Sequence, residues 1–187
     1  MESDRRFARY RREEGTQGSR RLWAVPRAGL CLSAFVLLGD VRRPTHVVLG
    51  RPDPSAPWDR LAALDSDRIA SLAGRRILPA SHLIEGEDPR AAANRILREQ
   101  LEIDTLELRG PEVFSEFYPL RADPSQGPHW DLHFVFRGEW PKHRDLRATA
   151  WKELNFLDAR SLPADSLGRG HLDILFLAGM PIGTRLT

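Results

Sequence analysis

The fold of this chain is decided by residues 78–103, which read LPASHLIEGEDPRAAANRILREQLEI. Within this segment, Asp88 and Pro89 predict the start of a helix. An aspartate side chain accepts hydrogen bonds from the free amides of a first helical turn, and proline fits the first helical position. The helix is predicted to run to about Glu102, with residues 78–87 forming the loop before it.

The predicted helix has two chemically different faces. With about 100° of rotation per residue, its charged residues lie on one side: Arg95, Arg98, Glu99 and Glu102. Three apolar residues lie on the other side: Ala93, Leu97 and Leu101. We therefore expect one face to pack against the core and the other to meet solvent.

Apolar segments before and after this helix predict the strands of a sheet. Residues 30–38 and 45–49 are joined by a turn-rich link and predict a hairpin, whereas residues 51–60 contain three prolines and predict an exposed loop. Further strands are predicted at 112–120, 129–136 and about 149–156, and a last helix at about 169–177. Elements in this order, without regular alternation, predict an α+β fold with one mixed sheet packed by helices.

Alternate positions of the 129–136 strand carry polar residues. His129, Asp131 and His133 share one face, and three side chains that point the same way suit a metal ion or a phosphate. Zinc needs at least three firm ligands in tetrahedral geometry, and the sequence offers no evident fourth ligand. The favoured interpretation is therefore a polar outer face of the sheet.

The segment 78–103 resembles the Nudix box, a loop–helix–loop of pattern Gx5Ex7REUxEExGU in which U is aliphatic. The matching residues are Glu87, Arg95, Leu97, Glu99 and Ile103. The resemblance implies an α+β Nudix fold, with a mixed sheet sandwiched between helices in an α/β/α arrangement. We expect this domain to span residues 22–187, and residues 1–21 to form an Arg-rich, flexible N-terminal extension.

Four positions depart from the box, because Gly, Glu, Glu and Gly of the pattern are replaced here by Ser81, Ile96, Gln100 and Glu102. In the family, the helix glutamates hold a divalent cation, usually Mg²⁺, against the diphosphate of the substrate. Ile96 offers no ligand and Gln100 only a neutral oxygen, so a strong multi-metal site is not expected. A weaker site for Mg²⁺ or Mn²⁺ stays open, built from Glu99 with one of four other carboxylates: Glu87, Glu85, Glu116 or Glu102.

The resemblance implies hydrolysis of a diphosphate bond in a nucleoside diphosphate linked to another moiety, by a divalent-metal-dependent pyrophosphohydrolase. The candidate catalytic residues are Glu99, Glu87 and Arg95, and the candidate substrate-binding residues are His129, Asp131 and Glu139. The alternative is a catalytically inactive Nudix-fold module that binds a nucleotide, RNA or a protein partner. The two lost helix glutamates favour the module, and the retained one favours the enzyme.

Composition narrows the class of protein. The chain has 187 residues, 41% of them hydrophobic and 29% charged, which suits one globular domain and excludes a collagen-like or disulfide-rich protein. Cys31 is the one cysteine and cannot form an internal disulfide, so a cytoplasmic location without membrane contact is expected. Residues 1–21 hold seven arginines against four acidic residues, and a solvated extension is favoured over a contact with nucleic acid. The expected partner is a nucleotide-derived small molecule, and a homodimer is left open.

Overall fold

The computed structural model describes residues 9–10, 30–62, 64, 66–72, 74–118, 129–142, 144–168 and 170–183. The strands are β1 (Arg9–Tyr10), β2 (Leu30–Asp40), β3 (Arg43–Pro52), β4 (Ala80–His82), β5 (Arg109–Tyr118), β6 (His129–Glu139) and β7 (Trp151–Asp158). The helices are α1 (Trp58–Ala62), α2 (Ser66–Ser71), α3 (Pro89–Leu101) and α4 (His171–Leu177), with 3₁₀ turns at Ala159–Ser161 and Ala164–Ser166.

The strands form one mixed sheet in the order β5-β6-β2-β3-β7. Strands β2 and β6 run parallel, while the β2–β3, β3–β7 and β5–β6 pairs are antiparallel. The short strands β1 and β4 both pair antiparallel with β2. The pairing of β1 gives Arg9 and Tyr10, from the N-terminal extension, backbone partners at Cys31 and Leu30.

Helices cover both faces of the sheet. Successive residues of a strand point to opposite faces, so Val36 belongs to one apolar cluster with Ile96 of α3, while Leu37 belongs to the other with Ile174 of α4. This is the α/β/α arrangement of an α+β fold, as predicted. The hairpin of β2 and β3, the helix α3, the strands β5, β6 and β7 and the helix α4 all lie where the sequence predicts them.

The prediction of an exposed loop over residues 51–60 is wrong at both ends. Strand β3 continues through Arg51 and Pro52, and helix α1 begins at Trp58, whose ring is buried. The loop is therefore limited to residues 53–57. The physical reason is that Trp58 packs its ring against Trp151 of β7, with ring centroids 5.0 Å apart, and this long-range contact outweighs the local effect of the prolines.

Candidate functional site

Helix α3 begins and ends with the local geometry that its sequence encodes. The Oδ1 atom of Asp88 accepts hydrogen bonds from the backbone amides of Arg90 (2.9 Å) and Ala91 (3.0 Å), which caps the first turn. At the other end, Glu102 adopts a left-handed conformation with φ 56°, where the Nudix pattern has Gly. In this conformation the amide of Ile103 donates a 2.9 Å hydrogen bond to the carbonyl of Leu97.

Arg95 joins the helix to the loop that precedes it. Its Nε and Nη2 atoms donate to the two carboxylate oxygens of Glu87 at 2.8 and 2.7 Å. Further bonds run from Nη1 to the Ser81 hydroxyl (3.1 Å) and from Nη2 to the carbonyl of His82 (3.0 Å). Arg95 is only 5% exposed, so its assignment to a solvent-facing helix side is wrong. A guanidinium is a planar donor that binds a carboxylate in two places, and this holds it inside the protein.

Glu87 is tied to its own loop as well as to the helix. Its Oε2 atom accepts a hydrogen bond from the amide of Ile84 at 2.9 Å, across a turn in which Gly86 has φ 78°. Burial alone would raise the pKa of the Glu87 carboxyl, but the bonds from Arg95 and from the Ile84 amide hold it below its usual value. The Glu87 carboxylate is therefore charged and engaged with Arg95 and with its own loop.

Ile96 takes the place of a helix glutamate and is 0% exposed. It belongs to the apolar cluster that also contains Val36 of β2 and Phe136 of β6. The side of α3 on which a carboxylate would hold a cation is therefore packed against the sheet. No water reaches this position, and a cation needs water or oxygen ligands to fill its shell.

Gln100 replaces the second lost glutamate and is also 0% exposed. Its Nε2 donates to the carbonyl of Leu61 in α1 (3.1 Å) and to that of Ala80 in β4 (2.8 Å). The backbone carbonyl of Gln100 accepts a 2.7 Å bond from Nε1 of Trp151, the indole that contacts Trp58. Gln100 thus acts as a connection between three elements, and α1 lies over the C-terminal half of α3.

The donor set around α3 does not fit a cluster of divalent cations. Within the described ranges, no three His, Cys, Asp or Glu side chains come together as metal ligands. Glu99 is partly exposed and Glu85 lies exposed on the turn before the helix. The Glu102 carboxylate accepts bonds from the amide and hydroxyl of Thr149, both at 2.7 Å. The side-chain carbonyl of Gln100 is buried without a hydrogen-bond partner among the described residues, but one neutral oxygen beside one carboxylate supplies little charge.

The polar residues of β6 do not form an outer face, and that prediction is wrong. His133 is buried, with its ring 5.3 Å from that of Phe35 and its Nε2 3.0 Å from the Glu116 carboxylate. The reason is that α4 covers this face of the sheet, which the strand pattern alone does not reveal. Asp131 is partly buried beside Glu116 on the neighbouring strand, and the side chain of His129 lies outside the described residues.

Asp131 and Glu139 are too far apart to bind one small substrate together. Both lie on β6, eight residues apart, which corresponds to roughly 26 Å at a rise of about 3.3 Å per residue. Glu139 is exposed at the C-terminal end of the strand. The predicted site residues are therefore brought together only in part: Glu87 contacts Arg95, while Asp131 and Glu139 occupy separate places.

Glu139 lines a hollow of about 370 Å³ between the β2–β3 turn and the loop after β6. Three basic residues line it: Arg42, Lys142 and Arg144. Its apolar walls are Val41, Trp140, Leu146 and Phe156. Sequence reasoning missed the three basic residues, because the hairpin turn and the loop after β6 meet only once β2 and β6 pair in parallel.

Comparison with known proteins gives matches at the level of structure. No family model matches the sequence, and no curated protein matches it. The Nudix domain of Shewanella oneidensis NrtR, solved with ADP ribose, is similar with a TM-score of 0.51 and 13% identity over 80% of this chain and 86% of that chain. The Nudix hydrolase RenU from M. smegmatis has a TM-score of 0.48 and 16% identity, covering 87% of this chain and 99% of its own.

A third similar structure is the E. coli dihydroneopterin triphosphate pyrophosphohydrolase, with a TM-score of 0.46 and 16% identity over 73% of this chain and 84% of that chain.

None of the helices in the described ranges has the length and apolar character that crossing a bilayer requires. The sheet order, the loop–helix–loop around α3 and the similarity to the NrtR domain agree with one another. This chain has the Nudix fold.

Proposed function

We propose that this chain is a Nudix-fold binding module that holds a nucleotide-type ligand without hydrolysing it. The observation that carries the proposal is the complete burial of Ile96 and Gln100, the two positions at which the Nudix box has carboxylates. The Ile96 side chain packs in the apolar core, and the Gln100 side chain donates hydrogen bonds to α1 and β4. The sheet covers the helix at Ile96 and α1 covers it at Gln100, which leaves Glu99 as the partly exposed position of the three.

The electrostatic requirement of phosphoryl chemistry supports the same conclusion. Metal-assisted attack on a diphosphate needs anionic ligands that fix the cation and position it against the developing charge. On α3 the only unburied carboxylate between residues 89 and 101 is that of Glu99. The Glu87 carboxylate accepts hydrogen bonds from Arg95 and from the Ile84 amide, so a cation bound there would compete with a buried ion pair.

The hollow beside Glu139 is the place that we propose for the ligand. Arg42 and Lys142 extend their charges into solvent at its rim, and Phe156 and Leu146 offer partly exposed apolar surface. A nucleotide combines a flat apolar base with anionic phosphate, which matches cations beside an apolar wall. The volume of about 370 Å³ is at the lower end of what small-molecule sites provide.

Hydrolysis stays as a second candidate because of Glu99. This residue is partly exposed, and Mg²⁺ is held in some proteins by one carboxylate with water and substrate phosphates completing its shell. In that case turnover would require Mg²⁺ or Mn²⁺ and would be lost in Glu99→Gln. The two functions therefore differ in a measurable way.

The test separates binding from turnover on the full chain. Calorimetric titration with a nucleoside diphosphate and with its sugar-linked derivative is run in EDTA and in Mg²⁺, and phosphate-bond cleavage is followed in parallel. We expect binding in both buffers, no metal-dependent cleavage, and a loss of affinity of at least about tenfold in Arg42→Ala/Lys142→Ala. Arg98→Ala, which removes an exposed cation elsewhere, is the matched control and should bind normally.

Two outcomes would overturn the proposal. Cleavage that needs Mg²⁺ and disappears in Glu99→Gln would establish the enzyme instead. Binding that is unchanged when Arg42 and Lys142 are both replaced would remove the hollow as the ligand site.

A further inference from the structure

Strand β5 forms one edge of the sheet. Among the described residues it pairs only with β6, so the hydrogen-bonding groups on its other side have no strand partner there. A long exposed edge is a template for pairing with another chain, and proteins usually protect it with charges, prolines or short length. Here Pro111 and a register shift between Arg109 and Glu112 disturb only the start of β5. Residues 112–118 remain regular.

The regular part of β5 carries unusual apolar exposure for a monomer surface. Val113 is 56% exposed and Phe117 is 58% exposed, and both lie on the α3 side of the sheet. Next to them on β6 are Phe134 and Trp130, their register partners. Exposed large side chains that are contiguous along an edge mark an interaction surface rather than random exposure.

The charges on the opposite side of β5 are already paired within the chain. The Glu112 carboxylate accepts bonds from Arg137 at 2.7 and 3.0 Å, and Glu116 lies 3.0 Å from Nε2 of His133. These acidic groups therefore do not demand a basic partner strand. A partner needs instead an apolar residue opposite Val113 and another opposite Phe117.

We propose that a second copy of this chain supplies that partner, through antiparallel pairing of β5 with β5 about a two-fold axis at Ser115. In this register Val113 of each copy lies opposite Phe117 of the other, and Phe114 lies opposite Glu116. Both apolar residues are thereby covered on both copies. The two sheets join into one continuous sheet, with the α3 helices on the same side.

Charge selects this register over its neighbours. A two-fold axis at Phe114 would place Glu112 of one copy opposite Glu116 of the other, twice in the dimer. An axis at Glu116 would place that carboxylate opposite itself. Like charges directly opposite one another destabilise a strand pair, whereas the axis at Ser115 produces no such pair and uses all of residues 112–118.

A charge-swap experiment tests both the surface and the register. The mass of the full chain is measured by sedimentation over a dilution series for wild type, Val113→Lys and Phe117→Glu, and for an equimolar mixture of the two variants. Wild type is expected to show twice the monomer mass. Each variant alone is expected to be monomeric, since Lys faces Phe or Glu faces Val at both contacts. The mixture is expected to regain the dimer, because one new Lys–Glu pair forms beside one native apolar pair.

The matched control is Phe176→Glu, which changes a 66% exposed aromatic residue of α4, the helix on the face of the sheet opposite to Val113 and Phe117. It should remain dimeric, and circular dichroism checks that every variant is folded. A monomeric wild type at the highest concentration would overturn the proposal. So would variants that stay dimeric, or folded variants whose mixture remains monomeric.

Discussion

The two parts of the loop–helix segment differ in which features of the Nudix box they retain. In the first half, the Glu87–Arg95 pair and the turn at Gly86 hold the loop on the helix with buried, charge-assisted hydrogen bonds. In the second half, Ile96 and Gln100 fill space and connect elements where the box has metal-binding carboxylates. The contacts that build the fold are kept, whereas two of the three positions at which the box has helix glutamates are used for packing.

This difference shows that a motif contains separable physical tasks. Arg95 needs a carboxylate opposite it to remain buried, so the first half is coupled to stability. Carboxylates that hold a cation repel one another when no cation is bound, so their replacement by Ile and Gln removes repulsion and adds buried contacts.

The largest effect is expected from Ile96→Glu, which restores the box residue. A carboxylate at a position that is 0% exposed must lose its water, so we expect the free energy of unfolding to fall by roughly 5 kcal/mol. Denaturant unfolding provides the measurement. Ile96→Leu, which keeps the volume and stays apolar, should cost less than about 1.5 kcal/mol. If Ile96→Glu were as stable as Ile96→Leu, the site would be open rather than packed.

Arg95→Ala is expected to lower the free energy of unfolding by about 3–5 kcal/mol. The reason is that it leaves the Glu87 carboxylate buried without its partner. Arg98→Ala removes an exposed arginine from the same helix and should change stability by less than about 0.5 kcal/mol. Equal effects of the two substitutions would contradict the assignment of a buried anchor.

Gln100→Ala probes the second half of the comparison through its hydrogen bonds. The carbonyls of Leu61 and Ala80 would lose a donor inside the protein, and we expect a cost of about 2 kcal/mol. Gln100→Glu is the informative companion, because it keeps the size but, as a carboxylate, cannot donate to either carbonyl. We expect it to be no more stable than Gln100→Ala. A Gln100→Glu protein of wild-type stability would show that the position accepts a carboxylate.

The pH dependence of stability is expected to arise from His171, at the start of α4. His171 accepts a hydrogen bond from the amide of Leu78 at 3.1 Å through Nδ1. Burial, with added repulsion from the nearby His133 and Arg68, lowers its pKa to about 3. Between its ordinary value near 6.5 and about 3, only the unfolded chain takes up the proton, so stability falls as the pH is lowered through this range.

Thermal unfolding at several pH values tests this for His171→Asn, which keeps an acceptor for Leu78 and does not titrate. Its loss of stability on acidification should be shallower than that of wild type. The lowered pKa of Glu87 acts in the same direction at more acidic pH and is present in both proteins. Parallel curves for the two proteins would show that His171 is not the responsible group.

Local signals in the sequence predict the long elements, but they do not predict α1, α2 or β4, and they do not predict tertiary partners. Asp88 and Pro89 mark the start of α3, and the spacing of Leu97 and Leu101 predicts its buried face, because these depend on neighbouring residues. The roles of Arg95 and Gln100 depend on Ser81 and Leu61, which lie 14 and 39 residues away. Helical periodicity does not predict contacts over such distances in sequence.

The same limit explains His133 and the hollow beside Glu139. The alternation of side chains along β6 places His133 on one face of the sheet, but it does not predict that α4 covers that face. Likewise, the basic residues at 42, 142 and 144 come together only through the parallel pairing of β2 with β6. The residues of the hollow depend on the order of the strands in the sheet, so the sequence of each segment alone does not predict them.

The most direct test of the closed helix face is a titration of the full chain with Mn²⁺, followed by electron paramagnetic resonance, with and without a nucleoside diphosphate. Wild type and Glu99→Gln are compared at equal concentration. We expect the two proteins to leave the same amount of Mn²⁺ free under both conditions, because α3 no longer provides a set of anionic ligands. Bound manganese in wild type that is lost in Glu99→Gln would contradict this account.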